Sequence, residues 1–99
     1  MARELSMCGR LNIVDDPLCR LVTEQLGLPF HAPTNQDLRP TQEVQVVSAA
    51  GAGMQQLSTH WGIKLGWATR LLINAQAETV ASKPTFKRAF AEHRCLVPC

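Results

Sequence analysis

The sequence predicts an α+β domain that is rich in β-strand, with two short helices packed on an antiparallel sheet. Two segments carry apolar residues at helical spacing, one after residue 16 and one after residue 84. Between them, residues 43–48 alternate apolar and polar side chains as a half-buried strand does, and a returning segment follows. With 99 residues, 45% of them hydrophobic and 18% charged, the chain is long enough for one small globular domain.

The first helix has a recognisable start and stop. Asp16 is a favoured N-cap residue, and Pro17 is favoured at the first helical position. Apolar residues then recur at helical spacing as far as Leu26, and Gly27 supplies the stop. Residues 29–42 are polar and punctuated by prolines, with no clear period, so we expect an irregular connection there.

A β-hairpin is predicted in the middle of the chain. Residues 43–48 form its first strand, residues 49–53 a loose loop, and residues 54–61 the returning strand. Gly62 and Gly66 then interrupt the chain.

The last third of the sequence predicts one helix and one strand. The apolar run at residues 71–75 is too short to distinguish a strand from a buried turn. After Pro84 a second helix places Phe86, Phe90 and His93 on one face, and residues 94–97 begin a further strand.

Composition limits the location and the partners. A net charge of +2 does not by itself indicate nucleic-acid binding. We find no secretory signal and no apolar run of roughly 20 residues, so we expect no membrane partner, a cytoplasmic protein and reduced thiols. Cys95 and Cys99 have C-x3-C spacing without a second paired motif, so no metal site is predicted.

Five short blocks occur in a characteristic order. They are MCGR at residues 7–10, LRPT at 38–41, WGIKLGW at 61–67, INAQAET at 73–79 and RCLVP at 94–98. Together they resemble the SOS-response-associated peptidase (SRAP) family, also called abasic-site-processing proteins. The resemblance spans residues 7–99, which would form a partial domain of that family behind an N-terminal extension of residues 1–6.

The resemblance implies covalent chemistry on DNA without a cofactor. In that family an exposed N-terminal cysteine reacts with abasic sites in single-stranded DNA and forms a thiazolidine crosslink. A thiazolidine ring needs an amine and a thiol on adjacent carbons, which only a terminal cysteine offers. Its α-amine has a pKa of about 7.7–8.0, so an appreciable neutral fraction is present at pH 7. Cys8 is the implied nucleophile, and removal of the residues before it would be the peptidase activity.

The same resemblance assigns the other site residues. Gly9 would let the backbone approach the sugar closely, and Arg10 would hold a phosphate. Asn74 matches an active-site asparagine that hydrogen-bonds the reacting terminus and the sugar. Trp67 is suited to stacking on an unpaired base, although a core position fits it equally well. Gln76 stands where the family usually has a DNA-binding arginine.

Several departures keep a second interpretation open. Leu65 replaces a proline of the family pattern, and Asp37 stands where an asparagine is common. The family continues after the RCLVP block with a glutamate acid/base and, later, a histidine, so the resemblance covers the N-terminal half. The alternatives are an inactive remnant or a non-catalytic DNA-binding fragment of the same family. Translation starts at either Met1 or Met7, and the sequence leaves both open. Exposed strand edges at such a boundary predict self-association, and action on DNA predicts association with the nucleoid.

Overall fold

The computed structural model describes residues 9–64, 66 and 71–99. Within these ranges the elements are β1 (Leu11–Ile13), α1 (Asp15–Leu26), β2 (Asn35–Leu38), β3 (Glu43–Ala50), β4 (Gly53–His60), β5 (Ile63–Lys64), β6 (Leu71–Leu72), α2 (Lys87–Glu92) and β7 (Cys95–Leu96). The strands pair antiparallel in three small sheets of order β1-β2, β4-β3-β7 and β5-β6. The α+β class is therefore confirmed, with three sheets instead of one.

Helix α1 begins and ends close to the predicted residues. Val14, not Asp16, occupies its N-cap position, and Asp16 has extended backbone angles (φ −114°, ψ 126°) within the first turn. The helix therefore starts at Asp15, two residues before Pro17, the predicted first helical residue, and Val14 replaces Asp16 at the N-cap position. The extended angles of Asp16 are nevertheless those that an N-cap residue adopts. At the other end Gly27 has φ 67° and donates its N–H to the Thr23 carbonyl, which confirms the predicted stop.

The central hairpin is confirmed and is tighter than predicted. β3 and β4 pair in continuous register from Glu43 opposite His60 to Ala50 opposite Gly53. The loop between them is only two residues long, and its Gly51 has φ 59°, which a two-residue hairpin turn requires. The predicted loose loop over residues 49–53 was wrong, because the strands continue further than the alternation of apolar residues indicates.

A strand lies within the segment that the sequence predicts as irregular. β2 pairs with β1, with Leu11 opposite Leu38 and Ile13 opposite Asn35. Only Leu38 of the four β2 residues is buried. Because the strand is short and polar, its conformation depends on pairing with a distant segment and leaves no alternation in the sequence.

The core is built from one half of the chain. Its eight buried residues are Ile13, Cys19, Phe30, Ala32, Leu38, Val44, Val46 and Val47. Helix α1 packs against this cluster through Leu18, Val22 and Leu26, whereas α2 has no buried residue. The predicted packing of a helix on the strands is therefore seen for α1 and is not confirmed for α2.

The later strands attach the rest of the described chain to this core. β7 pairs with β3, with Leu96 opposite Val47 and Cys95 opposite Ser48, which confirms a strand within residues 94–97. The ambiguous run at 71–75 contains β6, which pairs with β5. None of the helices in the described ranges has the length and apolar character that crossing a bilayer needs.

Candidate functional site

The first two sequence blocks meet at one carboxylate. β1 pairs with β2 through Leu11 opposite Leu38, and this pairing brings the Arg10 side chain within reach of Asp37. Arg10 Nε lies 3.4 Å from Asp37 Oδ1, and Arg39 contacts Asp37 Oδ2 through Nε at 2.9 Å and Nη2 at 2.8 Å. We call this cluster the arginine–aspartate triad. It joins the MCGR and LRPT blocks, which lie 28 residues apart in the sequence.

Trp61 links the next two blocks through hydrogen bonds. Its carbonyl accepts the Thr41 N–H at 2.8 Å, and its own N–H donates to the Gln42 carbonyl at 3.1 Å. The indole Nε1–H donates to the Ile73 carbonyl at 3.0 Å. The LRPT, WGIKLGW and INAQAET blocks are therefore linked by one half-buried tryptophan, which bonds to the residue directly before position 74.

The residue at position 74 is Asn74, which the sequence analysis assigned to the site. It is half-buried and lines a cavity of about 240 Å³ together with Gly62, Leu72 and Phe86. A carboxamide offers two donors and an acceptor, so it can bind both an amine and a sugar hydroxyl. The structure therefore places Asn74 at this cavity.

A second cavity, of about 370 Å³, brings in the last block. Leu11 and Trp61 line it together with Cys95, Val97 and Cys99. The segment directly after the MCGR block therefore lines the same cavity as the RCLVP block. With the contacts above, the described parts of all five blocks form one connected region of the molecule.

The remaining predicted site residues are placed as follows. Gly9 and Arg10 are exposed, and a Cβ added at Gly9 would meet no atom of the described residues within 4 Å. Gln76 is exposed, and its carbonyl accepts the N–H groups of residues 79 and 80. Cys8 and Trp67 lie outside the described residues.

The triad places two exposed guanidinium groups around one carboxylate. The side chains of Arg10 and Arg39 are 67% and 55% exposed. The hydrogen bond from Arg39 lowers the pKa of Asp37, and the charges of both arginines act in the same direction. Sequence reasoning assigned Arg10 and missed Arg39, whose place beside Arg10 depends on the pairing of β1 with β2.

The described cysteines divide into one inert and two accessible thiols. Cys19 is buried in the core, where its sulfur contacts both the N–H and the carbonyl of Ala32. Burial raises the pKa of the Cys19 thiol, which disfavours the nucleophilic thiolate. Cys95 and Cys99 are exposed. Within the described residues no three His, Cys, Asp or Glu side chains are grouped to hold a metal ion.

Comparison with known proteins gives one consistent answer. A family profile described as SOS response associated peptidase (SRAP) matches residues 7–99. Three Bacillus subtilis proteins are similar over 93% of this chain: the abasic site processing proteins YoaM and YoqW at 27% identity and YobE at 26%. The match covers 44%, 45% and 46% of these relatives, so the chain spans a little under half their length. No solved structure matches it significantly.

Proposed function

The chain belongs to the SOS response associated peptidase family, and from this membership we propose that it processes abasic sites in damaged DNA. It binds single-stranded DNA and captures the abasic sugar covalently through Cys8. The observation that carries the proposal is the family match over residues 7–99, which includes Cys8, with relatives named abasic site processing proteins. The convergence of the five blocks into one region supports it.

The proposed reaction needs no redox partner. The ring-opened abasic sugar presents an aldehyde at C1′, and the free α-amine of Cys8 adds to it and expels water as an imine forms. The Cys8 thiolate then attacks the imine carbon, and the nitrogen takes up a proton as the five-membered thiazolidine closes. Because an amide nitrogen cannot form the imine, the bond between residues 7 and 8 must first be absent or hydrolysed.

The described residues suit supporting roles in this reaction. Arg10 follows Cys8 by two residues and exposes its guanidinium, which suits a phosphate next to the lesion. Asn74 lies at a cavity and offers hydrogen bonds to the terminus and the sugar. Gly9 has no side chain and leaves space for the sugar-phosphate chain. Trp67 would stack on an unpaired base, and the uncharged side chain of Gln76 would contact the DNA. In this proposal the protein is cytoplasmic and acts on damaged DNA there.

A gel assay with an abasic single-stranded oligonucleotide tests the proposal. The protein is prepared with Met1 as its start and, separately, with Met7 as its start, and intact mass shows which residue is N-terminal. We expect a denaturation-resistant protein–DNA band only from molecules that begin at Cys8, and loss of that band in Cys8→Ala. Cys95→Ala is the matched control, because it removes an exposed thiol that is not N-terminal.

The assay also separates the second candidate function, non-covalent DNA binding without chemistry. That candidate is favoured by the exposed guanidinium groups of Arg10 and Arg39, which can contact phosphates without any covalent step. It predicts salt-sensitive binding that is indifferent to abasic sites. A Cys8-initiated protein that binds the oligonucleotide and gives no covalent band would support this second function and overturn covalent capture.

A further inference from the structure

We infer that Arg10 and Arg39 form a two-arginine phosphate site in which Asp37 is an internal counter-anion that competes with a DNA phosphate. The ligand is the backbone phosphodiester of single-stranded DNA, so this inference rests on the proposed function. It adds Arg39 to the site and gives Asp37 a defined effect on affinity.

The geometry of the triad carries the first step. One carboxylate contacts two guanidinium groups, with Arg10 on Oδ1 at 3.4 Å and Arg39 on Oδ2 at 2.9 and 2.8 Å. A phosphodiester presents two anionic oxygens in a comparable spacing, and arginine binds carboxylate and phosphate with the same fork of donors. Asp37 therefore occupies the donors that a phosphate would use.

Exposure carries the second step. The Asp37 side chain is 49% exposed, and both arginines are more exposed than that. Exchange of one anion for another at such a surface site needs no rearrangement of the core, and exposed ion pairs are weak enough to be displaced. The backbone around Asp37 is held independently of its carboxylate, since its N–H donates to the Asn35 side chain.

The position of the triad carries the third step. Arg10 is two residues from Cys8, and Arg39 lies at the turn whose residues bond to Trp61. A DNA strand whose abasic sugar reaches Cys8 would therefore bring a neighbouring phosphate to Arg10 and Arg39. Without DNA, Asp37 keeps the two like charges together and limits their attraction for other anions.

Anisotropy of a labelled single-stranded oligonucleotide without abasic sites tests the inference, because no covalent step intervenes. The full chain and its variants are compared at several salt concentrations. We expect Asp37→Asn to bind about two- to five-fold more tightly at low salt, as the loss of one exposed competitor allows. The double variant Asp37→Asn/Arg39→Gln should lose that gain in affinity. The slope of its log binding constant against log salt concentration should be smaller by about 1.

The matched control is Glu92→Gln, which removes a carboxylate from another exposed arginine, Arg88, at 3.1 Å. A gain in Glu92→Gln equal to that in Asp37→Asn would assign the effect to net charge and overturn the inference. Equal binding by wild type and Asp37→Asn would also overturn it and leave the proposed function intact.

A DNA-independent measurement separates the two proposals. Inorganic phosphate is titrated while the NMR signals of the arginine Nε–H groups are followed in wild type and Asp37→Asn. If the Arg10 and Arg39 signals shift at a lower phosphate concentration in Asp37→Asn than in wild type, the two-arginine phosphate site is supported. If DNA binding is absent at the same time, only the proposed function fails. Absence of a difference overturns the site.

Discussion

Residues 11–50 contribute the buried side chains of a common core, whereas the described residues from 71 to 99 are half-buried at most. Among the described residues, every buried hydrophobic one lies between Ile13 and Val47. The later segment is attached by short strands and by hydrogen bonds such as that from Trp61 to the Ile73 carbonyl. The first region therefore supplies stability, and the second presents Asn74 and the accessible thiols at its surface.

The largest expected difference between the two regions is in stability. Phe30 is 1% exposed, so Phe30→Ala should lower the free energy of unfolding by about 3–5 kcal/mol. Phe90 is half-buried and lies under the Arg94 guanidinium at 4.9 Å, so Phe90→Ala should cost about 1 kcal/mol. Urea denaturation measures both variants, and equal losses would contradict the division of the molecule into core and attached segment.

The junction of the two regions should be the next most sensitive point. Gly62 has φ 108°, and a Cβ there would lie 2.6 Å from Leu71 Cδ2. We expect Gly62→Ala to cost about 1–3 kcal/mol through backbone strain and displacement of β6. Gly66→Ala is the control, because a Cβ there would meet no atom within 4 Å. Thermal unfolding followed by tryptophan fluorescence measures both, and a Gly66→Ala loss as large as that of Gly62→Ala would contradict this.

How far the sequence predicts the fold depends on how local each signal is. The β3 strand was predicted because Val44 and Val46 alternate with polar residues, and both are buried. The β2 strand was missed because it depends on pairing with β1 and contains mainly polar residues. Local patterns report burial along one element, whereas pairing between distant segments leaves no such pattern.

The candidate site follows the same rule. The family blocks drew attention to Arg10 and Asn74 individually, and the structure describes both. The sequence could not show that Arg10 reaches the carboxylate beside Arg39, nor that Trp61 bonds to Ile73. Arg10 and Asp37 are 27 positions apart in the sequence, and Trp61 and Ile73 are 12 positions apart. Side-chain clusters between segments require the fold to be known.

A smaller difference between the regions is expected in thiol reactivity. Cys19 is 7% exposed and its pKa is raised by burial, whereas Cys95 and Cys99 are exposed. Because the thiolate is the reactive form, Cys19 should be alkylated at least about tenfold more slowly at pH 8. Timed labelling with iodoacetamide followed by peptide mass analysis gives the three rates. Labelling of Cys19 as fast as that of Cys95 in the folded protein would contradict the buried position.

The smallest expected effect is the pH dependence of the triad at the edge of the first region. The pKa of Asp37 is lowered in the folded protein, chiefly by the hydrogen bond from Arg39. The ionised form is therefore favoured by folding, and its stabilising contribution is complete above the unfolded-state pKa of about 3.9. That contribution should disappear as the pH falls through the lower folded-state value. NMR titration of the Asp37 carboxyl carbon measures this directly.

Replacing each arginine in turn should show how much Arg10 and Arg39 each contribute to the lowered pKa of Asp37. Arg39→Gln should raise the pKa of Asp37 most, because Arg39 supplies both the hydrogen bond and the closer charge, and Arg10→Gln should raise it less. Arg88→Gln, which breaks an ion pair in α2, should leave the pKa of Asp37 unchanged. Since the triad is exposed, high salt should shrink the shift in wild type. A salt-independent shift that survives Arg39→Gln would mean that the triad is not what lowers the pKa of Asp37.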